Sequence, residues 1–294
     1  MPLSPLRRIP FLSLLAILPC SAQSYVDLNF SSHVEATDAQ WPNGSSLGPN
    51  YYSGTSMHFR DVATVNGTSV DAVISLVSTS GSYSLTGWIP EYNTTGTNTG
   101  NLGVYSVFTG NYPDETSSAL GGLTYQMTFY VGGALAEDQL FTTEIALPSF
   151  RFLVYDHDGE PTQSEAIRAF YSDGLTGYQI RNGSGITPVT DGSSVTFDSR
   201  GSNHSETNDE GGFIAYYENT SSVTFELLAS TTHGATGPLG IPGNTYGIFT
   251  AYDGRLSLIG GDTTNYGAIV PVPEPSAVLL CAVGAIAALS RRKR

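Results

Sequence analysis

The sequence predicts an all-β body, an antiparallel β-sandwich of jelly-roll type, set between two apolar ends. Three observations predict it. Charged residues make up only 13% of the 294-residue chain, which is rich instead in Gly (33), Pro (16) and Tyr (17). That is the composition of short strands and frequent turns, not of helical bundles. Large apolar side chains recur at every second position over several stretches, the period of a half-buried strand. Clusters of Gly, Asn and Asp separate those stretches, and no part of the body keeps a helical period with start and stop signals.

Taken in order along the chain, alternation predicts strands at Val70 to Val77, Val104 to Phe108, Leu123 to Val131, Phe150 to Tyr155, Tyr178 to Arg181, Val195 to Phe197, Phe213 to Tyr217, Val223 to Leu227 and Tyr246 to Tyr252. The clearest is the third, where Leu123, Tyr125, Met127, Phe129 and Val131 occupy every second position. Turns are expected at Asn66-Gly67, Thr109-Gly110-Asn111, Gly132-Gly133, Asp173-Gly174, Asn182-Gly183 and Gly211-Gly212. Glu165 to Tyr171 reads as a strand in preference to a helical turn. Residues 41–56 and 91–103 read as polar loops, and Pro271 to Ser276 as the linker that ends the body. The body, residues 23–270, is within the range of one large sandwich.

Charge divides the chain. Six of the twelve basic residues lie at the ends: Arg7, Arg8, Arg291, Arg292, Lys293 and Arg294. The body keeps six arginines and no lysine against 25 of the 26 acids, a net charge of −19 where the whole chain carries −14. A surface that binds nucleic acid needs clustered cations to displace phosphate counterions, so no nucleic-acid partner is expected. Both cysteines, Cys20 and Cys281, fall in the apolar ends. The body therefore has no disulfide framework, thiol nucleophile or Cys-ligated zinc.

The ends read as addresses. Residues 1–22 have the form of a secretory signal peptide: Arg7 and Arg8, an apolar stretch from Ile9 to Leu18, then small residues to Ala22. The stretch is short for a retained anchor, and Pro19 is a poor neighbour for lipidation at Cys20. At the other end, Pro273-Glu274-Pro275 precedes an apolar run from Ala277 to Leu289 and the basic cluster Arg291, Arg292, Lys293 and Arg294. At about 1.5 Å per residue that run makes a helix of roughly 20 Å, thin for a hydrocarbon core of about 30 Å. The terminal cations stay on the cytoplasmic side, which leaves the body outside. Pro273 and Pro275 hold an extended, accessible peptide just outside this weak span.

These three parts, in this order at the C-terminus, resemble the PEP-CTERM protein-sorting domain over residues 271–294. The resemblance implies a bacterial envelope and a transient exosortase partner that recognises Pro273, Glu274 and Pro275 and removes the tail. Before processing, the C-terminal helix holds the chain in the membrane. It also implies association with extracellular polysaccharide or biofilm matrix.

Within the body, the strand from Phe150 to Tyr155 runs into Asp156-His157-Asp158-Gly159-Glu160, with Glu165 five residues further on. Alternate carboxylates on a tight turn aim oxygens at one centre, so Asp156, Asp158, Glu160 and Glu165 are candidate calcium ligands, although the spacing is not that of an EF-hand. Similar segments resemble ones in cargo proteins that bear this sorting tail. The competing reading is a solvated turn whose acids bind local N–H groups. Glu206, Asp209 and Glu210 form a second acidic loop that reads as solvated. Gly44-Ser45-Ser46-Leu47-Gly48 matches the nucleophile-elbow pattern in letters only, since Pro42-Asn43 and Pro49-Asn50 replace the strand and helix that chemistry needs. The five histidines lack paired spacing and read as isolated surface residues. Of the adjacent tyrosines Tyr51-Tyr52 and Tyr216-Tyr217, one of each pair is expected in the core and the other free to stack on a sugar. The expected role is non-enzymatic, structural or adhesive at the cell surface or in its matrix. The alternative is a calcium-dependent carbohydrate-binding module, and a third reading is a polysaccharide hydrolase or lyase with carboxylates converging in a deep cleft.

Overall fold

The computed structural model describes residues 24–30, 33–34, 56–80, 84–93, 101–109, 121–132, 143–155, 157, 159–160, 163–199, 210–230, 245–259 and 261–272. Among them run β1 (His33–Val34), β2 (Ser56–Val65), β3 (Thr68–Ser80), β4 (Ser84–Asn93), β5 (Asn101–Thr109), β6 (Gly121–Val131), β7 (Leu147–Tyr155) and β8 (Gly159–Glu160). They continue as β9 (Gln163–Phe170), β10 (Leu175–Ile180), β11 (Ile186–Thr190), β12 (Ser194–Ser199), β13 (Phe213–Thr220), β14 (Ser222–Ser230), β15 (Thr245–Asp253) and β16 (Val270–Pro271). The named strand pairs are all antiparallel. One sheet has the order β1-β2-β3-β6-β14-β9-β12-β11, with β8 beside β9, and the other the order β16-β10-β13-β7-β15-β5-β4. Each expected strand lies within one of these, apart from Arg181, which forms an isolated bridge to Tyr266 just past β10, and Tyr171, which opens a 3-10 turn (Tyr171–Asp173) just past β9.

The chain steps repeatedly from one sheet to the other: β6 to β7, β9 to β10, β12 to β13 and β13 to β14 each change sheet. Asn219, with φ of 51°, makes the last of these corners, and Asn66-Gly67 (φ of 50° and 80°) closes the β2–β3 hairpin as a two-residue turn. The strands on either side of residues 110–120 share the same two sheets.

Aromatic rings from alternate positions fill the space between the sheets. Phe129 on β6 meets Phe150 on β7 edge to face at 5.2 Å, and Phe225 on β14 meets Phe152 at 5.4 Å. Phe197 on β12 stacks on Phe213 of β13 at 3.8 Å and takes Tyr178 of β10 edge-on at 5.2 Å. All but Tyr178 are at most 1% exposed. Each ring buried from water contributes about 1.5–3 kcal/mol, and a ring pair about 0.5–1.5 kcal/mol more.

The second sheet is covered on its outer face as well. Leu153, Tyr155, Ile214 and Tyr216, the out-of-phase residues of β7 and β13, form a separate cluster with Tyr266, and Tyr25, Leu256 and Ile259 pack against it. The segment after β15 thus returns over the outside of its own sheet. It ends as β16 on the edge, where Val270 and Pro271 pair with Tyr178 and Gly177. From the other terminus, Val26 donates to the Ser149 carbonyl at 2.7 Å, and Leu28 and Phe30 are fully buried. Gly254 is where the two terminal segments touch: a Cβ there would lie 2.6 Å from the Leu28 backbone nitrogen.

Three sequence expectations change. Residues 91–93 and 101–103 belong to β4 and β5. β1, β2, β4, β8, β11 and β16 lie outside the predicted strands; β1, β4, β11 and β16 end their sheets and β2 lies next to one of them. The linker begins later than Pro271, since Val270 and Pro271 form β16 and Val272 is buried in the main core.

Three terminal strands of the two sheets carry a proline: Pro90 in β4, Pro188 in β11 and Pro271 in β16. Asp191 donates its N–H to the Ser194 carbonyl at 3.2 Å, closing the β11–β12 hairpin. Counting down that ladder turns the Pro188 nitrogen toward the free edge. Val272 donates to Thr176 at 3.0 Å, which likewise turns the Pro271 nitrogen outward. An edge without that donor is a poor template for a further strand. We expect the wild type to sediment as a monomer and Pro188→Val to self-associate with rising concentration; equal behaviour in analytical ultracentrifugation would remove this role from the proline.

Candidate functional site

Two places carry the sequence candidates: the acidic corner after β7 and the junction between body and tail. At the corner the chain leaves one sheet for the other. β8 folds back on β9, with Gly159 opposite Ser164 and Glu160 opposite Gln163. His157 ties this corner to its neighbours. It is fully buried, edge-on to Phe213 at 6.0 Å. Its ring Nε2 donates to the Phe197 carbonyl at 2.8 Å, and its backbone N–H donates to Gly211 at 3.3 Å. The histidine expected at the surface is thus a core residue, covered by Phe213, and its buried ring N–H finds its acceptor in the Phe197 carbonyl. These two bonds also place the corner beside the segment that follows β12, which the sequence treats as a separate acidic loop.

Glu165 shares the core-facing phase of Ile167 and Ala169 on β9 and is 3% exposed. Opposite it on β12 stands Ser199, 1% exposed, whose hydroxyl has no hydrogen-bond partner among the described residues. Asp156 and Asp158 lie outside the described residues, as do the Glu160 side chain, Glu206 and Asp209; Glu210 is exposed. Among the described residues no group of three or more His, Cys, Asp or Glu is placed to hold a metal. Gly44 to Gly48 and Tyr51-Tyr52 also lie outside them. Neither ring of Tyr216-Tyr217 is free to stack on a sugar. Tyr217 is fully buried in the main core and Tyr216 is 5% exposed in the outer cluster, because this sheet is covered on both faces.

The junction is held by a polar relay. Burial, then the neighbouring Tyr25, pushes the Tyr216 hydroxyl up to about 12, with Arg151 opposing. The hydroxyl therefore stays protonated and donates to Gln179 Oε1. Gln179 Nε2 donates to the Gly267 carbonyl at 2.7 Å, and Gly267 N–H donates to Ile180 at 2.9 Å. Arg151 adds an ion pair to Asp27 at 2.7 Å and lies over the Tyr25 ring at 5.3 Å. Gly177 lets the returning segment come close, since a Cβ there would sit 3.0 Å from the Val270 carbonyl oxygen and from Ile269. Val272, 7% exposed, is the last described residue. Pro273, Glu274, Pro275, the apolar run and Arg291, Arg292, Lys293 and Arg294 lie outside the described residues, as do residues 1–22. No helix among the described residues is long and apolar enough to cross a membrane.

Sequence reasoning missed the returning segment. Its signal was present in the unbroken apolar runs Phe152-Leu153-Val154-Tyr155 and Phe213-Ile214-Ala215-Tyr216-Tyr217, which mark strands buried on both faces.

No family model and no curated protein matches the chain. Among solved structures it is similar to the N-terminal domain of the Streptococcus gordonii adhesin Sgo0707, at 11% identity and a TM-score of 0.42, over 80% of this chain and 60% of that one. It is also similar to the adhesin domain of PrgB from Enterococcus faecalis, at 13% identity and a TM-score of 0.35, over 68% of this chain and 63% of that one. The chain thus spans less than two thirds of each.

Val272→Asp would put a carboxylate into the core at the end of the returning segment, at a cost of about 2–5 kcal/mol. Urea denaturation should show that loss, with faster proteolysis between residues 254 and 272. An unchanged midpoint would mean that the segment is not anchored there.

Proposed function

We propose that this chain is an exported surface or matrix protein, held by its C-terminal tail until an exosortase removes it. Its β-sandwich then serves a structural or adhesive role in extracellular polysaccharide. The observation that carries the reading is the tail itself: Pro273-Glu274-Pro275, a short apolar run and a basic end, beginning one residue after the buried Val272. The −19 charge of the body keeps it soluble and attracts divalent cations that bridge acidic polymers. Cells carrying the wild type should release a tail-free protein into the matrix fraction, while Glu274→Ala should keep its tail and stay with the membranes. If both fractionate alike with the final arginines intact, the reading fails.

The second reading, a calcium-dependent carbohydrate-binding module, is favoured by the acidic corner. His157 bonds the corner to Gly211, and the buried Ser199 hydroxyl opposite Glu165 has no hydrogen-bond partner among the described residues. Calorimetric titration of the mature protein with Ca²⁺ should then show one site and a raised Tm, weakened at least tenfold in Asp158→Asn. Absence of heat and of any Tm shift discards calcium.

A further inference from the structure

The outer faces of the two sheets differ in chemistry. That of the second carries the apolar cluster of Tyr155, Tyr216 and Tyr266. On the first, register sets a row of outward side chains across four neighbouring strands, β3, β6, β14 and β9. Ser75 stands opposite Gln126, and Gln126 opposite Thr224. One step past the Phe225–Ala169 pair, Thr224 comes beside Phe170. Their chain neighbours Ile74, Tyr125, Phe225 and Ala169 belong to the core, so the pleat turns Ser75, Gln126, Thr224 and Phe170 outward, and all four are partly exposed. At a strand spacing of about 4.8 Å the row is about 14 Å long.

Phe170 is the exception among its kind. Every other described phenylalanine side chain is buried. Phe170 ends β9 with an extended backbone (φ −106°, ψ 136°) directly before the 3-10 turn. Its ring therefore closes the outward row and takes no part in the seam between the sheets. A ring face is electronegative and attracts the slightly positive C–H face of a sugar ring. The Gln126 amide and the Ser75 and Thr224 hydroxyls both donate and accept, as hydrogen bonding to sugar hydroxyls requires.

The surrounding charges decide which sugars fit. The row itself carries none, and beside it Arg168 and Glu226 pair at 2.5 Å. Two carboxylates flank the Phe170 end. Asp173 accepts the Thr224 N–H at 2.6 Å, and Asp191 accepts the N–H of Ser194, the residue paired with Phe170, at 2.8 Å. These acids and the −19 charge of the body repel an acidic polymer. An uncharged one meets no such barrier.

We infer that this row docks an uncharged segment of extracellular polysaccharide, with one sugar ring stacked on Phe170 and the following ones hydrogen-bonded along Thr224, Gln126 and Ser75. The inference rests on the polysaccharide reading proposed above and names the class of glycan. It is independent of the acidic corner, since Glu165 has the core-facing phase of β9 and Phe170 the outward one.

Native electrophoresis of the purified mature protein through gels containing hydroxyethylcellulose, galactomannan or alginate tests it. At least one of the two neutral polymers should retard the wild type, and alginate should not. Phe170→Ala should weaken the retardation at least tenfold, and Phe170→Tyr should keep it. Gln126→Asp leaves the ring in place, adds a carboxylate in mid-row and should also lose it, with Tm unchanged. Retardation by neither neutral polymer, equal retardation by alginate, or a Phe170→Ala or Gln126→Asp protein that runs like the wild type overturns the inference. So does a wild type that self-associates through Phe170 and binds no polymer, which would make the row a contact between copies. A wild type that reaches the matrix fraction yet passes every gel unretarded overturns the row assignment alone. Retardation of a protein that keeps its tail and stays with the membranes overturns the function proposed above and leaves the row standing.

Discussion

Rings from two sheets meet across one interior, and the rest of the molecule depends on that seam. Phe129 against Phe150, Phe225 against Phe152, and Phe197 between Phe213 and Tyr178 join strands far apart in sequence. A body with no cysteine has no disulfide to hold its layers together, so apolar burial carries the load. The seam also explains why the corners can be polar. With the layers set by aromatic contacts, a chain crossing between them at Asn219 or at His157 needs only to satisfy its own backbone groups.

The second sheet differs from the first in being covered twice. β7 and β13 present apolar residues on both faces, the inner set to the seam and the outer set to Tyr266, Leu256, Ile259 and Tyr25. This draws the two terminal segments of the body together: the N-terminal one through Val26, Leu28 and the Asp27–Arg151 pair, the C-terminal one through Gly267, Val270 and Val272. The same return builds one wall of the open concavity lined by residues 180–186. The edge strand β16 and one wall of a concave surface thus share one short stretch of chain, 261–272.

Most of the body's strands were legible because alternation is a local property, written into each stretch by the two-residue period of a pleated chain. Leu123 to Val131 could be read with no knowledge of its partners, β3 and β14. Less was legible at the candidate sites. The acids of residues 156–165 were visible as a cluster, but His157 between them looked like a surface residue. Its burial comes from Phe197 and Phe213, some 40 to 56 positions away along the chain. Tyr216 and Tyr217 were read as one in and one out, which fails only because something covers the outer face.

By itself, the sequence determined what depends on near neighbours and on totals: an all-β chain, its turns, its charge, its empty cysteine inventory and the order of motif, apolar run and basic cluster at its end. Only the tertiary structure decided which rings and arginines share a place, and that Val270, Pro271 and Val272 still belong to the packed body. Periodicity is set within a few residues, whereas burial is set by what comes back to cover a face from elsewhere in the chain.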